Sequence, residues 1–178
     1  MLDKKRVEEA KKNVERYLRD GILNKIEVIN ENILETYKRN SNESLMVAEH
    51  LFNSNLSSLW VIVSAYYSMY YIANAVLYSK QYKVGKEISH QVTNEALIIF
   101  IMNRLEMQLL EEYQQAKEEA EEIARIESSN IIEDFEKEKS KRAFLQYETT
   151  DIIKRGKAET SLKRAKKFVF EMKKLLLN

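Results

Sequence analysis

The residues from Leu51 to Ser79 include no charged side chain, although 32% of the whole chain is charged. They hold the only tryptophan, Trp60, and five of the ten tyrosines. A helix that is apolar nearly all round needs neighbours on every side. We therefore predict a helix over about Ser57 to Ser79 at the centre of the fold, with Ser57 or Ser58 as its N-cap.

The same stretch is long enough to cross a bilayer. However, serine and asparagine recur within it, and its tyrosines are spread along the centre instead of forming belts at two interfaces. These features favour a helix inside a bundle over a membrane span, so no membrane partner is predicted. The chain has no cysteine, and its charged N-terminal residues contain no apolar core like that of a secretory signal. Both observations predict a cytoplasmic protein.

Turn-forming residues are scarce, with no proline and three glycines in 178 residues. A chain with so few turn residues should consist of a few long helices. We predict one all-α domain over residues 1–178, an up-and-down helical bundle of five to six helices. The apolar spacings predict helices at about Lys4–Arg19, about Lys25–Asn53, about Ser57–Ser79, near Ser89 to about Arg125, about Asn130 to about Tyr147, and a last helix after Gly156.

Short segments that contain glycine, serine or asparagine are predicted to separate these helices. Gly21 ends the first helix, and Lys80–Lys86 form a loop before the fourth. Ser128–Asn130 and Gly156 separate the last three helices, and Asn40–Asn42 are a candidate break within the second.

Charge divides the C-terminal half of the chain. Residues 104–138 contain four basic and twelve acidic residues, whereas residues 139–178 contain twelve basic and four acidic ones. The first part of the acidic segment, about 104–125, is predicted to form an acidic helical arm. The two segments either pack against each other or solvate different faces, or the second provides a basic surface that attracts phosphate, nucleic acid included.

Residues suited to metal or cofactor binding are few. His50 and His90 are the two histidines, and neither has a second histidine three or four residues away. The chain also has no glycine-rich phosphate loop and no G-x-S-x-G turn. We therefore predict no metal and no cofactor. His90, near the start of the fourth helix, is either a local hydrogen-bonding residue or a general base.

Four motifs follow one another in a recognisable order. A tyrosine-rich helix is followed by a short loop with S-H-Q, then by K-R-A-F-L-Q-Y-E at residues 141–148, and then by a basic amphipathic helix. This order resembles the HEPN superfamily of small helical bundles in prokaryotic toxin–antitoxin and defence systems, and looks most like its R-x-x-x-D-Y group. The resemblance covers about residues 40–178, apart from the acidic arm. The matching residues are Tyr66, Tyr67, Met69, Tyr70, Tyr71, His90, Arg142, Gln146 and Tyr147.

The resemblance implies a homodimer that binds RNA or a nucleotide in the cleft between its subunits. Many HEPN members carry R-x-x-x-x-H, whose arginine and histidine cleave RNA without a metal. The position of that histidine is Tyr147 here, and the aspartate position of the R-x-x-x-D-Y group is Gln146. A tyrosine is a poor base at neutral pH because its ordinary pKa is about 10. The candidate catalytic residues are Arg142, Tyr147 and His90, and the candidate cleft-lining residues are Tyr67, Tyr70, Tyr71 and Gln146.

Three functions stay open at this point. The first is an RNA- or nucleotide-directed HEPN protein in which Arg142 holds a phosphate, with or without RNA cleavage. The second is a non-catalytic partner of a minimal nucleotidyltransferase, which the resemblance implies. The third is a structural helical protein whose acidic arm contacts a partner. Arg142 itself either meets a ligand or bonds buried tyrosine hydroxyls of the third helix.

Overall fold

The computed structural model describes the backbone of residues 3–137 and 151–177, and the side chains of residues 3–124 and 155–177. In these ranges the chain forms six α-helices, one short 3₁₀ helix and a two-stranded antiparallel ribbon. The predicted all-α bundle is therefore confirmed. The helices are α1 (Lys4–Arg19), α2 (Glu31–Asn53), α3 (Ser58–Ser79), α4 (Ser89–Phe100), α5 (Met107–Lys137) and α6 (Asp151–Leu176), and the strands are β1 (Leu23–Lys25) and β2 (Tyr82–Val84).

Helix α3 lies at the centre of the bundle and contacts α2, α4, α5 and α6, as its uncharged sequence predicted. The side chain of Ser57 caps its N-terminus by accepting a hydrogen bond from the Trp60 amide at 3.4 Å. Small buried residues such as Ala65 and Ser68 let a neighbouring helix approach closely. The hydroxyl of Ser41 in α2 thus donates to the carbonyl of Ser68 at 2.7 Å. Among the helices described, none combines the length and apolar character that crossing a bilayer requires.

Helix α6 packs against α3 and runs antiparallel to α2. Its Lys166 pairs with Glu49 at 2.9 Å, and two helical turns further on Lys173 donates to the Asn42 side chain at 2.7 Å. The order of these partners is reversed along α2, which fixes the antiparallel direction. Helices α2 and α6 both pack on α3.

The acidic and basic segments of the C-terminal half pack together where both are described. Arg164 of α6 donates to Glu119 of α5 at 3.1 Å, and Lys167 lies 3.8 Å from Glu106. The first half of α5, within the predicted acidic arm, also contributes to the core through one apolar stripe. The buried residues of that stripe are Leu109, Leu110, Tyr113, Ala116 and Ala120.

Helix α1 has the predicted bounds and packs on α4. Its Ala10 and Val14 are buried, and its polar side chains reach a carboxylate inside the interface. Arg6 and Asn13 both donate to one oxygen of Glu95, at 3.2 and 3.1 Å. The contact makes α1 part of the domain core.

The segment Lys80–Lys86 differs from the predicted loop because it contains β2. This strand pairs with β1, with Leu23 opposite Val84 and Lys25 opposite Tyr82. Each strand has three residues, which is too short for a period of two to be recognisable in the sequence. The ribbon ties the N-terminal segment to the end of α3.

The start of the second helix is also corrected. It was predicted at about Lys25, which instead ends β1, and α2 begins at Glu31. The side chain of Asn30 accepts hydrogen bonds from the amides of Asn32 and Ile33, at 3.0 and 3.4 Å. Such an N-cap satisfies amides that the first turn of a helix leaves unpaired.

Three predicted breaks are wrong. Helix α2 continues through Asn40–Asn42, α5 continues through Ser128–Asn130, and Gly156 lies inside α6. Such residues cost a helix at most about 1 kcal/mol each, which tertiary packing outweighs. The chain instead breaks within the predicted fourth helix, where a 3₁₀ helix at Met102–Arg104 separates α4 from α5. The predicted helix end at Tyr147 lies outside the described residues.

Candidate functional site

His90 lies among the tyrosines of α3. Its Nδ1 is 2.7 Å from the hydroxyl oxygen of Tyr66, and the ring centroids of His90 and Tyr70 are 4.4 Å apart. The ring of Tyr67 meets the His90 ring edge-on at 5.8 Å. Tyr66 and Tyr70 reach the same neighbour, the first turn of α4, because residues four apart share a helix face. The tyrosine–histidine cluster consists of Tyr66, Tyr67, Tyr70, Tyr71 and His90.

One side of the cluster is open to solvent. Tyr67 is 38% exposed, and Tyr70, Tyr71 and His90 are half-buried. Trp60, two helical turns before Tyr67, is 61% exposed. The neighbours of α3 thus leave its bulky face partly uncovered, although its composition predicted cover on every side. An exposed row of aromatic rings can stack on flat rings such as nucleobases.

The buried side of the cluster is completed by Tyr113 of α5, which sequence reasoning did not select. Its ring centroid lies 6.0 Å from that of Tyr66 and 5.2 Å from that of Phe168. The Tyr113 hydroxyl lies within interaction range of Tyr66 but has no partner with hydrogen-bond geometry. Burial raises the pKa of both Tyr66 and Tyr113, so both hydroxyls keep their protons. The apolar spacing of α5 would have indicated that Tyr113 faces the core.

Burial also governs the protonation of His90. It lowers the pKa of His90, and the neighbouring Lys117 ammonium lowers it further, while Glu121 acts in the opposite direction. The imidazole is therefore neutral at neutral pH. Because Nδ1 is engaged by the Tyr66 hydroxyl, Nε2 is the ring nitrogen left for a ligand. It is a donor when Tyr66 donates to Nδ1, and an acceptor when Nδ1 donates to Tyr66.

A cleft of about 780 Å³ opens beside the cluster. Tyr70 belongs to both, since its ring contacts the His90 ring at a tilt and also lines the cleft. The cleft lies between the β1–β2 ribbon, the first residue of α4, and the facing sides of α2 and α3. Residues with polar side chains in its lining include Tyr37, Tyr70, Asn74, Lys83, Lys86 and Ser89.

A buried polar network fixes the wall of this cleft. The Asn74 amide donates to the carbonyl of Tyr70 at 2.9 Å and to the hydroxyl of Thr93 at 3.2 Å. The Thr93 hydroxyl also lies 2.8 Å from the carbonyl of Ser89, to which it donates. Both side chains are almost fully buried, so these bonds hold α3 and α4 in a fixed relation.

No family model, no curated protein and no solved structure matches the chain. The function is therefore inferred from the residues and geometry of this protein.

The structure brings together His90, Tyr67, Tyr70 and Tyr71 of the predicted site. The other three predicted residues, Arg142, Gln146 and Tyr147, lie outside the described residues. In the described part of the chain, no group of three or more histidine, aspartate or glutamate side chains is arranged to hold a metal ion. The cluster thus offers aromatic faces, hydroxyls and one imidazole nitrogen to a ligand.

Proposed function

We propose that the chain is a cytoplasmic HEPN-type protein of a prokaryotic toxin–antitoxin or defence system, which binds RNA or a nucleotide as a homodimer. The observation that supports this best is the contact of His90 with the tyrosines of α3. These residues stand in separate motifs of the resemblance, yet the Tyr66 hydroxyl and His90 Nδ1 are 2.7 Å apart.

Each part of the cluster has a role in this proposal. Tyr67, the most exposed ring of the cluster, stacks on a base, and the half-buried Tyr70 and Tyr71 extend the stacking surface. Nε2 of His90 hydrogen-bonds to the base or the backbone of the ligand. Arg142 contacts phosphate, and Gln146 and Tyr147 line the cleft between subunits.

The geometry at His90 is compatible with both binding and cleavage. A general base needs one free acceptor nitrogen, and a hydrogen bond on the other nitrogen orients the ring. Nε2 of His90 is an acceptor when Nδ1 donates to Tyr66, and a donor in the other tautomer. Metal-independent RNA cleavage is therefore the second outcome that the experiment must resolve. A non-catalytic role beside a minimal nucleotidyltransferase is compatible with the same binding site.

The proposal is tested by fluorescence anisotropy with labelled structured RNA and labelled nucleotides in EDTA. Base stacking on an aromatic side chain contributes about 1–3 kcal/mol, so Tyr67→Ala should weaken binding by roughly tenfold or more. Arg142→Ala should weaken it as well. Phe170→Ala is the matched control, because Phe170 is 60% exposed on α6 and belongs to no part of the cluster.

The same samples are analysed for RNA cleavage and for molecular mass in solution. Cleavage that is lost in Arg142→Ala, with the dimer intact, would establish a ribonuclease. Binding without cleavage would establish the binding role. If the wild-type protein binds neither RNA nor nucleotide, or is a monomer, the proposal is wrong as stated, and co-purification with a nucleotidyltransferase becomes the next measurement.

A further inference from the structure

The cleft beside the cluster differs from the cluster in its chemistry. Its two charged lining residues, Lys83 and Lys86, are both basic, and no carboxylate lines it. Within the described part of the chain, neither lysine forms an ion pair, whereas Lys38 and Lys117 pair with nearby glutamates. A concave surface with charge of one sign concentrates counter-ions of the other sign.

Three hydroxyls add uncharged donors to the same cleft. The side chains of Tyr37, Tyr70 and Ser89 all line it, and none of them hydrogen-bonds to another described residue. Burial raises the pKa of Tyr37, and the nearby hydroxyls of Tyr70 and Tyr78 add to this effect, so the Tyr37 hydroxyl stays protonated. These hydroxyls come from α2, α3 and α4, so they approach a ligand from different directions.

The walls of the cleft are held in place independently of any ligand. The Gly85 amide donates to the carbonyl of Ile22 at 2.8 Å, which joins the loop after β2 to the segment before β1. The Tyr78 hydroxyl accepts a hydrogen bond from the Asn30 amide at 3.2 Å, which fixes the start of α2 against α3. A ligand that enters such a preformed site does not have to order its walls, so binding avoids that entropic cost.

We propose that this cleft binds the phosphate group of a small organic phosphate. Lys83 and Lys86 neutralise the charge, and the hydroxyls of Tyr37, Tyr70 and Ser89 donate to the phosphate oxygens. A tetrahedral oxyanion with several acceptor oxygens matches two ammonium groups and three hydroxyls better than a flat carboxylate does. The volume of about 780 Å³ leaves room for an organic part beside the two tyrosine rings.

This site is separate from the RNA- or nucleotide-binding function proposed above. It lies within one subunit, needs none of Arg142, Gln146 and Tyr147, and shares only Tyr70 with the cluster. Tyr67→Ala should weaken RNA binding and leave phosphate binding unchanged. The two proposals can therefore fail independently.

Isothermal titration calorimetry with inorganic phosphate and pyrophosphate, at constant ionic strength, tests the inference. We expect saturable binding with one site per chain, and tighter binding of pyrophosphate. The double variant Lys83→Ala/Lys86→Ala should weaken binding by about tenfold or more, because it removes both charge-assisted hydrogen bonds to the phosphate. Tyr37→Phe, which removes one donor and keeps the ring, should weaken it by roughly fivefold.

The matched control is the double variant Lys12→Ala/Lys25→Ala. Both lysines are exposed and neither lines the cleft, so this variant loses two positive charges, as the cleft variant does. If the control weakens phosphate binding as much as Lys83→Ala/Lys86→Ala does, the effect is one of overall charge and the inference is overturned. Acetate binding as tight as that of phosphate would overturn it too, and so would the absence of saturable binding to wild type. Circular dichroism of each variant verifies that the fold is retained.

Discussion

At the scale of single residues, His90 links the site to pH. Its folded-state pKa lies below the ordinary value of 6.5 because burial disfavours the imidazolium. The unfolded chain therefore binds this proton more readily, and the stability from neutral His90 is complete above about pH 6.5 and is lost as the pH falls below it. We expect the unfolding free energy of wild type to drop more between about pH 7.5 and about pH 5.5 than that of His90→Gln.

Urea unfolding at the two pH values measures this difference. His50→Gln is the matched control, since it removes the other histidine, which is exposed on α2. Equal pH dependence in wild type and His90→Gln would show that the His90 proton does not contribute to stability.

The buried Glu95 carboxylate contributes to stability by pairing donors of α1. Its side chain is 3% exposed, and one carboxylate oxygen accepts from Arg6 and Asn13, whereas Oε2 is buried without a partner. Glu95→Ala removes the acceptor of both donors, and Arg6 is still partly exposed to water, so the substitution should lower the unfolding free energy by about 1–3 kcal/mol. Glu35→Ala is the control, because Glu35 pairs with Lys38 on the surface and should cost about 1 kcal/mol or less. Urea denaturation checks both values. A loss for Glu95→Ala no larger than that for Glu35→Ala would show that the contact of Glu95 with Arg6 and Asn13 does not hold α1 on α4.

The residues of the candidate site were only partly predictable for a physical reason. The motif order placed His90 and the tyrosines of α3 in one site, and the structure brings them into contact. Tyr113 and the cleft lysines were missed, because they reach the site through the packing of α5 and the pairing of β1 with β2. The apolar spacing of α5 indicates that Tyr113 faces the core, but periodicity does not say which residues of distant segments meet there.

At the scale of helices and strands, two glycines give opposite predictions for the same substitution. A Cβ at Gly85 would lie 2.8 Å from the carbonyl oxygen of Ile22, so Gly85→Ala must push the ribbon away from its hydrogen-bond partner. We expect a loss of roughly 1–3 kcal/mol. A Cβ at Gly156 would have no neighbour within 4 Å, and Gly156→Ala should stabilise α6 by about 0.5–1 kcal/mol.

Thermal denaturation of the two alanine variants and wild type measures whether each substitution raises or lowers the stability. If Gly156→Ala destabilises the protein, helix α6 is not continuous through this residue. Glycine is preferred over alanine at a helix end and not inside a helix. An unchanged Gly85→Ala would contradict the tight contact of the ribbon.

The helices differed in how well the sequence predicted them. The bounds of α1 and the N-cap of α3 were predicted because a strong periodic or uncharged pattern coincides with a capping residue. Helix α5 was predicted to break at Ser128–Asn130 because weak local preferences were read as a boundary, and it continues to Lys137. Local residue preferences determine helix ends only where tertiary packing is absent. In α5 the apolar stripe from Leu109 to Ala120 packs in the core.

At the scale of the whole molecule, the N-terminal segment is part of one folding unit. The resemblance covers about residues 40–178, which makes α1 and β1 look like an addition. However, Val14, Tyr17 and Leu23 are buried in the common core, and α1 also supplies both partners of the Glu95 carboxylate. Burial of these three side chains stabilises the fold by roughly 5 kcal/mol or more. That value approaches the whole stability of a typical domain, about 5–15 kcal/mol.

A variant that begins at about residue 29, which keeps the Asn30 cap of α2, should therefore lose cooperative thermal unfolding in far-ultraviolet circular dichroism. It would expose the Glu95 carboxylate face of α4 and deprive Val84 of its strand partner, Leu23. The double variant Arg6→Ala/Asn13→Ala separates the two effects, because it removes the polar contact and keeps the apolar burial. We expect this full-length variant to unfold cooperatively at a lower temperature than wild type. A truncated protein that unfolds within a few degrees of wild type would show that the later helices fold by themselves and that α1 only covers them.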